Sequence, residues 1–345
     1  MNEPTTLRTI SALCQHDLVP REKLGALAEV ASRYAVAITP AMADLIDPAD
    51  PRDPIARQFV PDARELEEKP EERGDPIGDE RFSPAEGIVH RYPDRVLLKL
   101  VNACAVYCRF CFRREMVGPG RGGLSPKALA AALDYIAGRP QIWEIIFSGG
   151  DPLILSARRL KSVVAKIAAI GHVKVIRVHT RVPAVAPERI DAALVRALRA
   201  HGKATFVVLH VNHQRELTKK AQAACARLVD AGIPMLAQSV LLRGVNDDVE
   251  TLGALMRKLV ECRIKPYYLH HADLAPGTAH LRTTIAEGQA LMRALHGRTS
   301  GLCQPSYVLD IPDGYGKSPI GPSYLSEDGA AVEDFNGRRH IYPPG

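Results

Sequence analysis

The sequence predicts an α/β fold: a partial, open (β/α)6-type barrel of parallel strands with outer helices, an N-terminal helical and Pro-rich arm, and a C-terminal Gly-rich segment. Three observations carry this. From Arg95 onward, short β-rich runs alternate six times with amphipathic helical stretches, as parallel strands require because each needs a crossover to the next. Within the helical stretches apolar residues recur at helical spacing, as Ile190, Leu194 and Leu198 do. Residues 1 to about 90 lack the pattern. Right-handed crossovers curl six such units into an open barrel, with a doubly wound open sheet as the alternative; in both, chemistry is expected at the strand C-termini.

Each element has its own signal. Leu24–Tyr34 reads as a short helix, and the Pro- and Asp-rich stretch after it cannot form long regular elements, because Pro fixes φ and removes a donor. Such a stretch suits a linker or a wrapping arm. The strands expected are Val96–Val101, Ile142–Phe147, Val173–His179, Thr205–His210, Met235–Leu242 and Tyr267–His271. Between them lie helices Pro126–Ala137, Ala157–Ala169, Pro187–Ala200, Thr218–Ala231, Val249–Cys262 and Ile285–Gly297. Pro187 is expected to start its helix and Gly202 to close it. Asn102, Ser148, His179, His210 and Asp273 stand at or just beyond strand ends, and Tyr307–Asp310 reads as a closing strand. The expected division is an arm at 1–90, the barrel at 91–300 and a C-terminal segment at 301–345.

The 345 residues are 46% hydrophobic and carry a net charge of +6, from 45 basic and 39 acidic residues spread along the chain. No basic run with interleaved aromatics appears, so nucleic-acid binding is not expected. Neither a secretion signal nor an apolar run of the ~18 residues that span a membrane is present. With seven cysteines and no signal, a reducing cytoplasmic setting is expected, where clustered thiols bind metal or catalyse.

CAVYCRFC follows the first barrel strand. Cys104, Cys108 and Cys111 can ligate three irons of a [4Fe–4S] cubane and leave the fourth open to substrate. A structural zinc site lacks a visible fourth ligand. Cys14, Cys225, Cys262 and Cys303 stand singly and are expected to pack. His213, near His210, lacks the third ligand of a metal site.

Cys104-x3-Cys108-x2-Cys111 resembles the radical S-adenosylmethionine signature, and FSGGDPL resembles the segment that follows it. HRYPDRVLLKL, CRFCFRR, LHVNHQREL, LLRGVND and GLCQPSYVLDIPDGYGKSP narrow the resemblance to the lysine 2,3-aminomutase family, from roughly Asp47 to Tyr324. That resemblance implies an isomerase using a [4Fe–4S] cluster, S-adenosylmethionine and pyridoxal 5′-phosphate, with a reducing electron donor. It would move the amino group of L-lysine from C2 to C3 to give β-lysine. The chemistry implied is hydrogen abstraction by a 5′-deoxyadenosyl radical from lysine held as an imine.

Residue by residue, the resemblance implies that Lys317 forms the Schiff base with pyridoxal phosphate in a Gly-rich loop, and that Arg95 contacts its phosphate. Ser148, Gly149, Gly150 and Asp151 fall on the segment that binds the amino group of S-adenosylmethionine. There the glycines would admit close backbone approach, with Asp151 or nearby carbonyls facing the cation. His210 and Gln238 match further contacts to it. Arg113 matches the arginine that forks onto the substrate carboxylate, and Asp273 and Asp310 match the pair that grips the ε-ammonium. Two departures stand out. Asp248 replaces a cysteine that, in longer members, joins a C-terminal cluster on zinc between subunits, so that assembly is not expected; some other homo-oligomer is compatible. His270 of YYLH replaces a tyrosine frequent in free-lysine enzymes and is shared with the branch serving elongation factor P, although both aspartates are kept. A radical aminomutase for another amino acid is the remaining alternative.

Overall fold

The computed structural model describes residues 5–118 and 122–343. One nine-stranded sheet forms its centre, its strands following each other in chain order. They are β1 (Ile88–Tyr92), β2 (Arg95–Val101), β3 (Glu144–Gly149), β4 (Val175–Thr180), β5 (Ala204–His210), β6 (Met235–Val240), β7 (Ile264–His270), β8 (Ser306–Ile311) and β9 (Gly316–Pro319). Strands β2 to β8 are parallel, and β1 and β9 pair antiparallel at the two edges. This is the expected partial barrel with outer helices, one parallel strand larger than six because β8 joins β7 in the ladder. The doubly wound alternative is excluded, since its strand order reverses at a switch point and this one does not.

The outer helices form where their caps predict. Ser125, Ser156, Thr218, Asp248 and Thr284 each accept a backbone N–H of the first turn they precede. Helix Ala157–Ala168 buries Leu160, Val163, Val164 and Ile167 against the sheet. The helix expected from Pro187 is shorter: Pro187–Arg189 makes only a 3-10 turn, and Asp191 caps the helix Ala192–Leu198. Asp191 offers an oxygen to Leu194 N–H, which proline cannot do.

The N-terminal stretch is an arm, not a linker. Leu13, Val30, Ile38, Met42 and Phe59 are buried in the same core as the sheet. The arm clamps the cysteine loop directly. Tyr107 N–H donates to Ala37 O (2.9 Å), Arg109 N–H to Gln58 O (2.8 Å), and Glu65 pairs with both Arg109 and Arg114. At the open side of the barrel, Lys317 N–H donates to Tyr92 Oη (2.7 Å), bridging the two edge strands.

Candidate active site

A cavity of about 640 Å³ fills the barrel interior. It is lined both by residues that begin strands, Arg95, Glu144 and Ser306, and by residues at or beyond strand ends, Asp151, Arg181 and His210. The expectation that chemistry sits only at the strand C-termini is therefore too narrow. With the edges unclosed, the interior is wide enough for the site to run along the strands.

At one end, Cys104, Cys108 and Cys111 all line the cavity in the loop after β2. Burial pushes all three thiols up, Cys111 to about 11, and the thiols raise one another. Thiolates there need a cation, which bound iron supplies. Among the described residues no three Cys, His, Asp or Glu side chains gather tightly enough for a single ion. A cubane asks for something wider, with one thiolate at each of three separate irons, and the donor set suits it. Cys108 Sγ accepts from Arg181 Nη1 (3.0 Å), whose Nη2 reaches Glu216 and Gln58 Oε1 (3.1 Å). Glu216 in turn accepts from Gln58 Nε2, Asn212 N–H and His213 N–H. His213 thus ends in a capped turn, not a metal site.

The SGGD segment abuts this loop for a reason other than the one expected. A Cβ on Gly150 would lie 2.1 Å from Ala103 O, and one on Gly149, at φ +104°, 2.5 Å from Val101 O. The glycines let β3 pack against the backbone of the cysteine loop, to which Gly150 N–H and Asp151 N–H donate. The Asp151 carboxylate is likewise committed: it accepts from Thr180 Oγ1, Arg181 N–H, Val182 N–H and Leu153 N–H. It is no free partner for a ligand cation, which leaves that task to nearby carbonyls. Ser148 Oγ meets Arg113 Nη1 (3.2 Å). His210 and Gln238 are cross-strand partners between β5 and β6, and both line the cavity. The His210 ring lies 5.6 Å from Phe110, and its Nε2 is buried without a partner.

Arg113 is buried and salt-bridged to Asp79, which takes its Nε (3.0 Å) and Nη2 (2.6 Å). A guanidinium has five donors, so the Nη1–Nη2 edge still offers a fork to a carboxylate.

At the other end, Lys317 lies on β9 rather than in a loop. Its register partner is Asp310 on β8, and directly opposed residues on paired strands bring their side chains together. Lys317 Nζ forms an ion pair with Asp310 Oδ2 and lies 3.3 Å from His270 Nδ1. Asp273, in the loop after β7, faces the same space with Oδ1 buried and unpartnered. Burial, reinforced by Asp310, pushes the Asp273 carboxyl up to about 8. Burial acts upward on Asp310 too, but the His270 hydrogen bond and the Lys317 charge hold it well below the carboxylate range. Arg95 stacks over Tyr92 (4.0 Å), pairs with Asp94 (2.7 Å) and lines the same cavity. An amine, a nearby guanidinium and orphaned polar atoms suit an anionic aldehyde cofactor such as pyridoxal phosphate.

Residues that sequence reasoning missed cluster here. Arg177 lines the cavity, salt-bridged to Glu144 (2.9 Å) with Nε orphaned, and His179 Nε2 is orphaned as well. The signal was available: in VIRVHT, Arg177 and His179 alternate with the buried Ile176 and Val178, which marks the other face of a strand. Asp79 and Arg181 had none, since their partners come from distant segments. Asp248, in place of the zinc-associated cysteine, caps the helix Val249–Glu261.

Comparison with known proteins agrees with this arrangement. Residues 98–256 match the model of the Radical SAM superfamily. The chain is 39% identical to the L-lysine 2,3-aminomutase of Clostridium subterminale, over 96% of this chain and 80% of that protein. It is 40% identical to the L-lysine 2,3-aminomutase of Acetoanaerobium sticklandii, over 89% and 74%. The glutamate 2,3-aminomutase of Clostridioides difficile is 35% identical over 95% and 76%. Among the described residues no helix is long and apolar enough to cross a membrane.

Proposed function

The chain belongs to the lysine 2,3-aminomutase family of the Radical SAM superfamily, and on that premise we propose that this 2,3-aminomutase acts on L-lysine, with Asp273 and Asp310 as the seat of the ε-ammonium. One observation carries the choice. Two carboxylates face one buried space, one already paired with an ammonium and the other bearing an orphaned oxygen that burial keeps protonated to about pH 8. A second ammonium satisfies Asp273, whereas the side-chain carboxylate of glutamate would add a third negative charge, and like-charge juxtaposition costs several kcal/mol.

In this reading Cys104, Cys108 and Cys111 hold a [4Fe–4S] cluster, and S-adenosylmethionine lies near Ser148, Gly149, Gly150, His210 and Gln238. Pyridoxal phosphate joins Lys317, with Arg95 at its phosphate. The bound groups supply a carbon radical, from a reducing electron donor, and an aldehyde for the migrating nitrogen. The chain supplies position. The Arg113 fork orients the substrate carboxylate, the aspartates fix the far end, and the walls keep water from the radical.

The test is anaerobic turnover of lysine and glutamate with product analysis. Lysine should give β-lysine, and each of Asp273→Asn and Asp310→Asn should lower the preference for lysine over neutral amino acids by at least about tenfold, since breaking a desolvated charge pair costs ~2–5 kcal/mol. An unchanged preference in both variants, or turnover of glutamate alone, defeats the lysine reading.

A further inference from the structure

We propose that His270 is the base that takes a proton from Lys317 Nζ and so frees this amine to condense with the cofactor aldehyde. The proposal rests on Lys317 being the cofactor lysine. An ammonium has no lone pair, so Nζ must lose a proton before it can attack. Two acceptors stand within hydrogen-bonding range of Nζ: Asp310 Oδ2 and His270 Nδ1, the latter at 3.3 Å, while the Tyr268 ring covers another side at 5.5 Å.

Asp310 is a poor acceptor, because its surroundings favour the carboxylate so strongly. His270 is the opposite case. Burial holds its imidazole neutral, and the Lys317 charge works in the same direction against the opposing pull of Asp310. A neutral ring has one nitrogen with a free lone pair, and here Nδ1 faces Nζ.

The transfer is balanced within the site. The Nζ–H bond breaks and an Nδ1–H bond forms, and the positive charge passes from Lys317 to His270. Asp310 Oδ2 lies 3.5 Å from Nδ1, so the carboxylate keeps a cationic partner throughout and the buried charge does not change. Loss of water from the condensing amine and aldehyde completes the bond, and the return of the proton from Nδ1 accompanies release. Of the other groups facing His270, Tyr268 lies edge-on at 5.7 Å. His179 and His210, on β4 and β5, are held neutral by burial. Asp273 bears on the set through Asp310, and Val240, across the ladder on β6, is apolar. None of these is placed at Nζ as His270 is.

The experiment is borohydride trapping of pyridoxal 5′-phosphate on the full-length protein as a function of time and pH, with peptide mapping of the labelled lysine. Wild type should label Lys317. In His270→Gln and His270→Phe the trapping rate near neutrality should fall about a hundredfold, the low end of general-base contributions, and recover as pH rises or when imidazole is added. Circular dichroism of both variants shows whether they fold, and Gln keeps a polar side chain of similar reach should Phe not. A folded His270 variant that traps at the wild-type rate with the wild-type pH profile overturns the proposal while leaving the Lys317 assignment intact. Label on a different lysine in wild type overturns both. Slow trapping that imidazole and higher pH do not relieve marks a structural role and also overturns it.

Discussion

The two ends of the cavity treat charge differently. Around the cysteine loop every buried carboxylate is matched by protein donors: Glu65 by two arginines, Glu216 by Arg181, Gln58 and two backbone N–H groups, and Asp151 by four donors. Around Lys317 the polar atoms are left short: Asp273 Oδ1, His179 Nε2, His270 Nε2 and Arg177 Nε have no partner. An unpaired buried polar group costs free energy that a ligand can return, so the second end is built for molecules that come and go. The first end is built to hold one loop still, and much of that hold comes from the arm at residues 34–65.

The comparison breaks most completely at the cysteines. Cys108→Ala should remove cluster iron and S-adenosylmethionine cleavage altogether, while Cys225→Ala, buried in a helix of the outer layer, should leave both intact. Iron content of the reconstituted proteins measures this, and full iron in Cys108→Ala contradicts the ligand assignment.

A smaller effect separates holding from tuning. Arg181 is a cation donating to Cys108 Sγ, and it favours the more negative, reduced cluster. Arg181→Lys should therefore lower the midpoint potential, by about 59 mV if the reduced-to-oxidised ratio at fixed potential changes tenfold. Redox titration followed by electron paramagnetic resonance reads it, and a potential unmoved by the substitution would place Arg181 outside the electrostatics of the cluster.

At the exchangeable end the expected signature is pH dependence. The Asp273 pKa is raised in the folded protein to about 8, above the usual carboxylate value. Stability from the protonated form is thus complete at acid pH, and is lost as pH rises from the unfolded pKa, about 4, through about 8. Asp273→Asn should remove that loss, so its melting temperature should gain on wild type between mildly acid and mildly alkaline buffer. Lysine, which binds the ionised form, should bind wild type more tightly as pH approaches 8, and this slope should flatten in the variant. Parallel melting curves at all pH values would exclude a buried, protonated Asp273.

The smallest effect lies outside both ends. Asp248 only caps the helix Val249–Glu261, so Asp248→Ala should cost about 1 kcal/mol in denaturant unfolding and leave substrate preference unchanged.

What could be read from the sequence were features whose physics is local. Strand and helix identities followed from spacing and caps, as in Pro126–Ala137, found where the pattern put it. The cysteine triplet needs only its own loop, and the family match located Lys317, Asp273 and Asp310 without showing how they meet. The tertiary structure decided the rest, because it depends on which distant segments touch. Asp79 reaches Arg113 across 34 positions, Gln58 reaches Glu216 across 158, and Asp310 faces Lys317 because β8 and β9 are in that register. No periodicity encodes such pairings: a buried charge is tolerated only beside its partner, and where that partner lies is a property of the packed chain.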